Sequence, residues 1–234
     1  MATPSVRSAC SAPPSVLAPH LPRAVSGGAA SAQLSLYTSA QLSPSARDSL
    51  YALLDGNMAP LAAGTSMAHE PLAKRAEMFD KDARYLVLTR AAPPMPGALP
   101  PSPAPRAKRT VDIAADELLG FASFRFDTEE TAGPDDAEVI YCYEVQLAPE
   151  ARGAGLAAQL MAELEAIGRR RGMAKAMLTC LASNTPALRF YAKAGYTPDE
   201  IDPTRMADDD DGWEDVDADG EVRRPDYRIL SKVL

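Results

Sequence analysis

The feature that most constrains the fold is an aromatic-rich segment that leads through a glycine turn into a helix. Residues Glu138–Leu160 read EVIYCYEVQLAPEARGAGLAAQL, and the first half has the β-branched and aromatic residues typical of a strand. After Gly155, apolar residues recur at helical spacing up to Ile167. The following segment AKAMLTCLA, 174–182, has strand character. The sequence therefore predicts a right-handed βαβ unit with two parallel strands.

The glycine turn predicts an anion site. It reads RGAGLA over residues 152–157 and lacks the Lys-Ser/Thr of a nucleotide P-loop. A strand end and a helix start both leave backbone N–H groups free, and the helix adds its positive dipole end. Small side chains let an anion approach that backbone, so we expect a pyrophosphate there. Taken alone, such a turn is as often only a tight helix start.

The remaining segments predict one α+β domain over residues 34–234. Helical patterns occur in ARDSLYALLDGN, EPLAKRAEMFDKDA and TPALRFYAKAG. Strand patterns occur in RYLVLTR, ELLGFASFRFD, AEVIYCYEVQL and DYRILSKVL. A chain of 234 residues is long enough for a sizeable core.

Two segments have compositions that predict disorder. Residues 1–46 contain no Asp or Glu and many Ser and Ala, so we expect a disordered tail at 1–33, with an organelle transit segment as the alternative. Residues 91–109 are too rich in proline for a central element. We expect a flexible insertion there, with a polyproline ligand as the alternative.

The charge pattern favours a basic partner. The formal net charge is −8, which argues against nucleic acid, and an acidic loop is predicted at 207–221. Asp215, Asp217, Asp219 and Gly220 fit the first half of an EF-hand loop, but Asp226 replaces the glutamate of its last position, so a solvated loop is expected rather than a calcium site. No apolar run is long enough to cross a membrane.

The cysteines and histidines predict neither a disulfide framework nor a metal site. Three cysteines occur without metal-ligand spacing. The two histidines, His20 and His69, fall outside every periodic segment, so histidine-centred chemistry is not expected.

Two ordered motifs give the chain a family resemblance. Arg-x-x-Gly-x-Ala after a strand, followed by SNTPALRFYAKAGY at 183–196, resembles the GCN5-related N-acetyltransferase (GNAT) family. Within that family FRFD, YCYEVQL, MLT, YRILS, AEMFDKDARYL and the pair Asn57-Met58 are similar to the histone-specific N-terminal acetyltransferases of the NatD type. The likeness spans residues 49–232. It implies a single domain with a mixed, mostly antiparallel sheet, flanking helices and a splayed central strand.

Glu144 is the candidate base. An α-amino group has a pKa near 8, so a carboxylate acting directly or through one water can accept its proton. Strict alternation places Tyr141 and Tyr143 on one strand face and Glu144 on the other. All three can line one pocket only if the strand bulges or splays near Glu144.

The resemblance implies acetyl-coenzyme A (acetyl-CoA) as co-substrate and no metal. The turn would hold the pyrophosphate, the backbone after Glu144 would hold the pantetheine arm, and Val145 would donate its N–H to the thioester oxygen. The implied cofactor-binding residues are Val145, Gln146, Leu147, Arg152, Gly153, Ala154, Gly155, Leu156, Ala157, Ala158, Thr179 and Asn184. Tyr191 falls where a tyrosine can protonate the leaving thiolate; the alternative is an aromatic ring packed on the sheet.

The resemblance also implies the substrate side. Asp127, Tyr141, Tyr143 and Tyr227 would bind the substrate, although paired tyrosines on a strand are commonly cross-strand packing. Ala62 and Met67 stand where the family has a tyrosine and a tryptophan, so the mouth of the pocket is expected to be less aromatic.

The resemblance thus implies an enzyme that acetylates the N-terminal amine of histone tails beginning Ser-Gly-Arg-Gly. The alternatives are acetylation of another amine, a lysine or small molecule, and a non-catalytic module that binds coenzyme A or a histone tail. Histone tails are the expected partners of a monomer that binds neither nucleic acid nor membranes. The expected compartments are nucleus and cytoplasm, or a plastid or other organelle if residues 1–46 are a transit peptide.

Overall fold

The structure, a computed structural model, describes residues 2–27, 30–91, 110–206 and 225–234. The helices are α1 Pro4–Ser11, α2 Pro14–Leu17, α3 Pro44–Ala62, α4 Pro71–Met78, α5 Leu156–Arg170, α6 Thr185–Lys193 and α7 Pro203–Met206. The strands are β1 Ala24–Gly27, β2 Ala30–Thr38, β3 Arg84–Arg90, β4 Leu118–Glu129, β5 Ala137–Leu147, β6 Lys175–Leu181, β7 Thr197–Pro198 and β8 Tyr227–Val233.

The strands form one eight-stranded sheet in the order β1-β2-β3-β4-β5-β6-β8-β7. Every neighbouring pair is antiparallel except β5 and β6, which α5 connects in parallel. The predicted βαβ unit and the predicted fold class, one domain with a mixed and mostly antiparallel sheet, are confirmed. β3 and β5 have the predicted bounds; Tyr85–Leu88 of β3 are buried, and in β5 Val139, Ile140 and Cys142 are buried while Tyr141 and Tyr143 are partly exposed.

The core lies on both faces of the sheet. One cluster joins strand residues such as Leu86 and Phe124 to α1, α2 and α5. The other joins Tyr85 and Phe121 to α3. Neighbouring residues of β3 alternate between the two clusters, as side chains with a period of two require.

The N-terminal segment differs from the sequence prediction of a disordered tail. α1 begins with Pro4 after Thr3, whose side chain accepts a hydrogen bond from the N–H of Val6. Val6 and Leu17 are buried in the core. Arg84 donates to the Cys10 carbonyl and Arg170 to the Leu17 carbonyl, so cationic side chains satisfy the two helix ends.

Composition misled the prediction because the segment is rich in Ser, Ala and Pro, yet Val6, Ala9 and Leu17 are buried in the core. α3 is also longer than predicted: it continues through Gly56 to Ala62. The proline-rich insertion falls mostly in 92–109 and the acidic loop in 207–224, and both lie outside the described residues. Among the described helices, none is long and apolar enough to cross a membrane.

Candidate active site

The site is built where β5 bulges and separates from β6. In the pairing of β4 with β5, Ser123 lies opposite Glu144 and Phe124 lies opposite Cys142. Tyr143 is therefore the extra residue of a bulge in β5. On the other edge, β5 pairs with β6 only from Val139 to Cys142. The bulge and splay predicted near Glu144 are therefore confirmed. The bulge changes the alternation, so that Tyr141, Tyr143 and Glu144 all line one cavity.

The cavity has a volume of about 570 Å³. It brings together many of the residues that the sequence predicted for the site, from β5, β6 and α6. These are Tyr141, Tyr143, Glu144, Val145, Gln146, Thr179, Asn184 and Tyr191. Ala62 and Met67 also line it, at the end of α3 and in the following loop, which is where the family likeness placed them.

Glu144 is held by two donors. Its Oε1 lies 2.9 Å from Lys74 Nζ, and its Oε2 accepts a hydrogen bond of 2.9 Å from Gln146 Nε2. The Glu144 side chain is 10% exposed. Burial opposes the charge of Lys74, but the carboxylates of Glu144 and Glu77 outweigh it and raise the pKa of that ammonium. Glu144 is thus a fixed carboxylate facing the cavity.

The two tyrosines form a wall beside Glu144. Their ring centroids are 5.2 Å apart, and the Arg125 guanidinium lies 4.5 Å over the Tyr143 ring. The Tyr141 hydroxyl shares a 2.5 Å hydrogen bond with Thr179, across the opening between β5 and β6. Burial raises the pKa of Tyr141 to about 12, so its hydroxyl remains neutral at physiological pH.

One side of the cavity is acidic. Glu77 and Glu129 line it together with Glu144. Burial, followed by the neighbouring carboxylates Asp127 and Glu130, raises the pKa of Glu129. Asp127 lies two residues earlier on β4 and does not line the cavity itself. This arrangement can accept a cationic group.

Tyr191 lines the inner part of the cavity from α6. Its ring packs against Phe190 and Tyr196, and burial raises its pKa well above the ordinary value. A neutral hydroxyl can donate a hydrogen bond, but full proton transfer to a thiolate with a pKa near 8.5 would be uphill. Its part in catalysis stays a prediction.

The glycine turn lies just beyond the end of β5, outside the cavity lining. Gly153 and Gly155 have φ of 74° and 78°, a left-handed conformation that favours glycine. A Cβ at either position would meet nothing within 4 Å, so the backbone is open to a ligand. Ala157 and Ala158 are in the first turn of α5, whose N-terminus points its free N–H groups outward. These residues can hold a pyrophosphate.

Arg152, the first residue of the motif, is anchored to the body of the protein. Its Nη2 donates to Asn57 Oδ1 at 2.7 Å, and its Nε lies 3.4 Å from the Leu147 carbonyl. Tyr227 begins β8 and pairs with Leu181, which lines the cavity, so Tyr227 lies one residue away from the lining.

Three site residues were not predicted as such. Lys74 pairs with Glu144, Asn57 bonds Arg152, and His69 lines the cavity with its Nε2 3.5 Å from Asp55 Oδ1. His69 thus lies in the cavity lining, and the expectation that the chemistry is not centred on a histidine stays a prediction. Lys74 and Glu77 share a helix face in the sequence, but nothing there indicates that this face meets β5.

Comparison with known proteins agrees with this geometry. The model of the acetyltransferase (GNAT) family matches residues 83–196, which include β3, the bulged β5, the glycine turn and α6. The matched segment thus contains Glu144 and both motifs that the sequence singled out.

Solved structures have the same fold at low identity. Arabidopsis thaliana NAA60 in complex with a bisubstrate analogue is 12% identical with a TM-score of 0.53, over 86% of this chain and 99% of that one. The GNAT domain of S. lividans PAT is 14% identical with a TM-score of 0.53, over 90% of this chain and 96% of that one. The NatC complex bound to Gag peptide and CoA is 13% identical with a TM-score of 0.50, over 86% and 98%.

Proposed function

Because the chain has the GNAT fold and its residues 83–196 match the GNAT acetyltransferase family, we propose that it transfers acetyl from acetyl-CoA to the free N-terminal amine of histone tails beginning Ser-Gly-Arg-Gly. The observation that carries this proposal is the bulge of β5, which brings Glu144 and two tyrosines into one cavity. Beyond the same strand end lies the open glycine turn.

The residues of the chain have separate tasks in this reaction. Acetyl-CoA supplies the thioester carbonyl, and the backbone of the turn and the Arg152 side chain would bind its pyrophosphate. Glu144 accepts a proton from the substrate ammonium, directly or through one water, so that the nitrogen lone pair can attack the carbonyl. The C–N bond forms and the C–S bond breaks, and the thiolate leaves with a proton to become the thiol. The N–H of Val145 would stabilise the charge on the carbonyl oxygen.

The cavity suits an α-amine. Such an amine has a pKa roughly 2.5 units below that of lysine, so a carboxylate already engaged by two donors is a sufficient base. The tyrosine wall offers apolar surface and hydroxyl groups to a peptide end. Glu77 and Glu129 provide an acidic surface that the arginine at the third position of the peptide can contact.

The solved relatives support the two ligand classes. The structure of A. thaliana NAA60 holds a bisubstrate analogue, and the NatC structure holds a peptide together with CoA. We propose the same combination here, a peptide end and CoA, bound on the two sides of the β5 bulge.

The direct test is a peptide assay with acetyl-CoA. A tail peptide that begins Ser-Gly-Arg-Gly and contains lysines further along should be acetylated at its first residue. The same peptide with a blocked N-terminus should remain unmodified at its lysines. Mass spectrometry locates the acetyl group. Acetylated lysine in the blocked peptide, at a comparable rate, would contradict N-terminal specificity.

A second arm of that assay varies the arginine of the peptide and the salt concentration. A single exposed carboxylate–arginine contact contributes about 0.2–1 kcal/mol, so replacing the peptide's arginine by alanine should raise KM only a few-fold. Increasing salt should raise KM steadily, because it screens the whole acidic surface. A KM independent of salt would contradict recognition by charge.

Acetylation of another amine is the second candidate function. Ala62 and Met67 in the cavity lining favour it, because they leave a wider mouth than two aromatic rings would. A panel of free lysine, polyamines and unrelated peptides in the same assay distinguishes the two candidates.

A further inference from the structure

A continuous chain of hydrogen bonds links the candidate base to the cofactor turn. Gln146 Nε2 donates to Glu144 Oε2 at 2.9 Å, and Gln146 Oε1 accepts from Asn57 Nδ2 at 3.0 Å. Asn57 Oδ1 in turn accepts from Arg152 Nη2 at 2.7 Å. Asn57 is on α3, and its sequence separation from Arg152 is 95 residues. Side chains from β5, from α3 and from the glycine turn therefore form one hydrogen-bonded line, Glu144–Gln146–Asn57–Arg152.

The direction of every bond in this line is fixed by its two ends. A guanidinium can only donate, so the atom of Asn57 that faces Arg152 is its oxygen. The Asn57 nitrogen must then face Gln146, whose oxygen accepts it. The remaining Gln146 nitrogen faces Glu144, which as a carboxylate can only accept. Both amides are thus held in a single orientation, and neither can rotate without losing two bonds.

The line is also tied to the backbone that follows the base. Asn57 Nδ2 lies 3.2 Å from the Leu147 carbonyl, the same carbonyl that Arg152 Nε approaches. Gln146 is buried, with 5% of its surface exposed, so water does not readily replace its partners. A buried amide that lost a partner would carry an unsatisfied polar group.

We propose that Asn57 and Gln146 are positioning residues that hold the Glu144 carboxylate in place and couple it to Arg152 in the cofactor turn. Asn57 acts on both sides, through its oxygen on Arg152 and through its nitrogen on Gln146. Gln146 lies between Asn57 and Glu144 and acts on the base side alone. This inference rests on the proposed acetyltransferase function, and it assigns the Gln146 side chain a task besides the backbone contact expected from the sequence.

The kinetic test separates the two halves of the line. Gln146→Met removes the donor to Glu144, so kcat should fall about 10- to 100-fold while KM for acetyl-CoA stays within about twofold. Asn57→Asp keeps the acceptor for Arg152 and loses the donor to Gln146, so it should behave in the same way. Asn57→Leu loses both the acceptor for Arg152 and the donor to Gln146, so it should lower kcat and also raise KM for acetyl-CoA. Gln33→Met on the exposed part of β2 is the control and should change neither constant.

The double variant Asn57→Asp with Gln146→Met decides whether the two residues act together. If they form one line, its kcat should equal that of the worse single variant, because the second change breaks nothing further. Losses that multiply, or a Gln146→Met variant with unchanged kcat, would overturn the proposal. Circular dichroism identifies variants that fail to fold, and Gln146→Met alone still tests the line if the Asn57 variants are among them.

A second readout does not depend on activity. The side-chain amide signals of Gln146 can be assigned in ¹⁵N spectra as the pair missing from Gln146→Met. At saturating coenzyme A this pair should shift further in the wild type than in Asn57→Leu, because contact of the pantetheine arm with β5 shifts it in both proteins and only the wild type adds the effect transmitted through Asn57. An equal shift in both proteins would overturn the coupling. Coenzyme A binding with the predicted shift but no acetylation of any amine would instead contradict the proposed function and leave the line intact.

Discussion

At the scale of single residues, the site depends on how the charge of one carboxylate is balanced. Glu144 has Lys74 on one oxygen and Gln146 on the other, in a cavity that Glu77 and Glu129 also line. The two donors fix the orientation of the carboxylate in the cavity, where it can accept a proton from an amine directly or through one water.

The corresponding prediction replaces the acceptor and keeps its shape. Glu144→Gln should lower kcat by about 10²–10⁴-fold, because a neutral amide cannot accept the proton. Acetyl-CoA affinity, measured by calorimetry, should change little, since the turn and Arg152 are untouched. The control is Glu163→Gln on α5. A Glu144→Gln enzyme with most of its activity would mean that solvent or another group deprotonates the amine.

A second residue-scale prediction concerns a buried ion pair away from the cavity. Lys175 Nζ lies 2.8 Å from Asp199 Oδ2, and both side chains are buried. Burial opposes ionisation of Asp199, but hydrogen bonds from Lys175, Ser231 and the N–H of Ile201 outweigh it and lower its pKa. A carboxylate with a lowered pKa in the folded state stabilises the fold above its unfolded pKa, about 3.9, and loses this contribution as pH falls further.

Urea unfolding at a series of pH values should therefore lose free energy between about pH 5 and 3 in the wild type. Asp199→Asn should be less stable at pH 7 and show a shallower decline below pH 5. Parallel curves for the two proteins would mean that this pair contributes no pH dependence.

At the scale of elements, the transition from β5 to α5 joins the two halves of the site. The strand supplies the base and the tyrosines, and the turn after it supplies free N–H groups with no side chain above them. Because α5 packs on β4 and β5, the turn is fixed relative to the bulge.

The element-scale prediction uses Ala158, an exposed residue in the first turn of α5. Ala158→Glu should leave the fold intact or slightly stabilise it, since an acidic residue suits a helix N-terminus. Its charge should repel the pyrophosphate and weaken acetyl-CoA binding at least tenfold by calorimetry. Ala158→Gln has similar bulk without the charge and should weaken binding much less. Equal affinity in Ala158→Glu and wild type would contradict a phosphate site at this turn.

The sequence predicted most elements that form the sheet, and for a physical reason. β3 and β5 are rich in apolar and aromatic residues, and α5 repeats its leucines at helical spacing, so local pattern alone defines them. The bulge was also predictable, because Glu144 and Tyr143 are adjacent in sequence and can share a pocket only through one.

Other parts of the site could not be predicted in this way. Asn57 reaches Gln146 only because α3 packs against β5, and His69 lines the cavity from the loop after α3. No local sequence pattern encodes this tertiary arrangement. The short helices α1 and α2 were missed because their Ala, Ser and Pro content is typical of disordered segments. Their order comes from the packing of α1 on β4 and of α2 on β2, and from two arginines far along the chain.

At the scale of the whole molecule, residues 4–17 are part of the core rather than an attachment to it. Leu17 has no exposed surface, and Arg170 holds its carbonyl at 3.2 Å. Leu17→Ala should therefore lower the free energy of unfolding by about 2–5 kcal/mol in urea titrations. Val16→Ala next to it removes a side chain that is 51% exposed and should cost less than about 0.5 kcal/mol. Equal stability of both variants and wild type would contradict a packed N-terminal segment.

The anchoring of α2 has a consequence for biosynthesis. Leu17 and Arg170 are 153 residues apart in sequence, so the ribosome must add most of the domain before the partner of this early helix exists. Until then, the apolar side of residues 4–17 is available to chaperones, import receptors or proteases. Closing such a long loop late in folding also slows the final step. Residues 4–17 are therefore among the last parts of this domain to reach their native contacts.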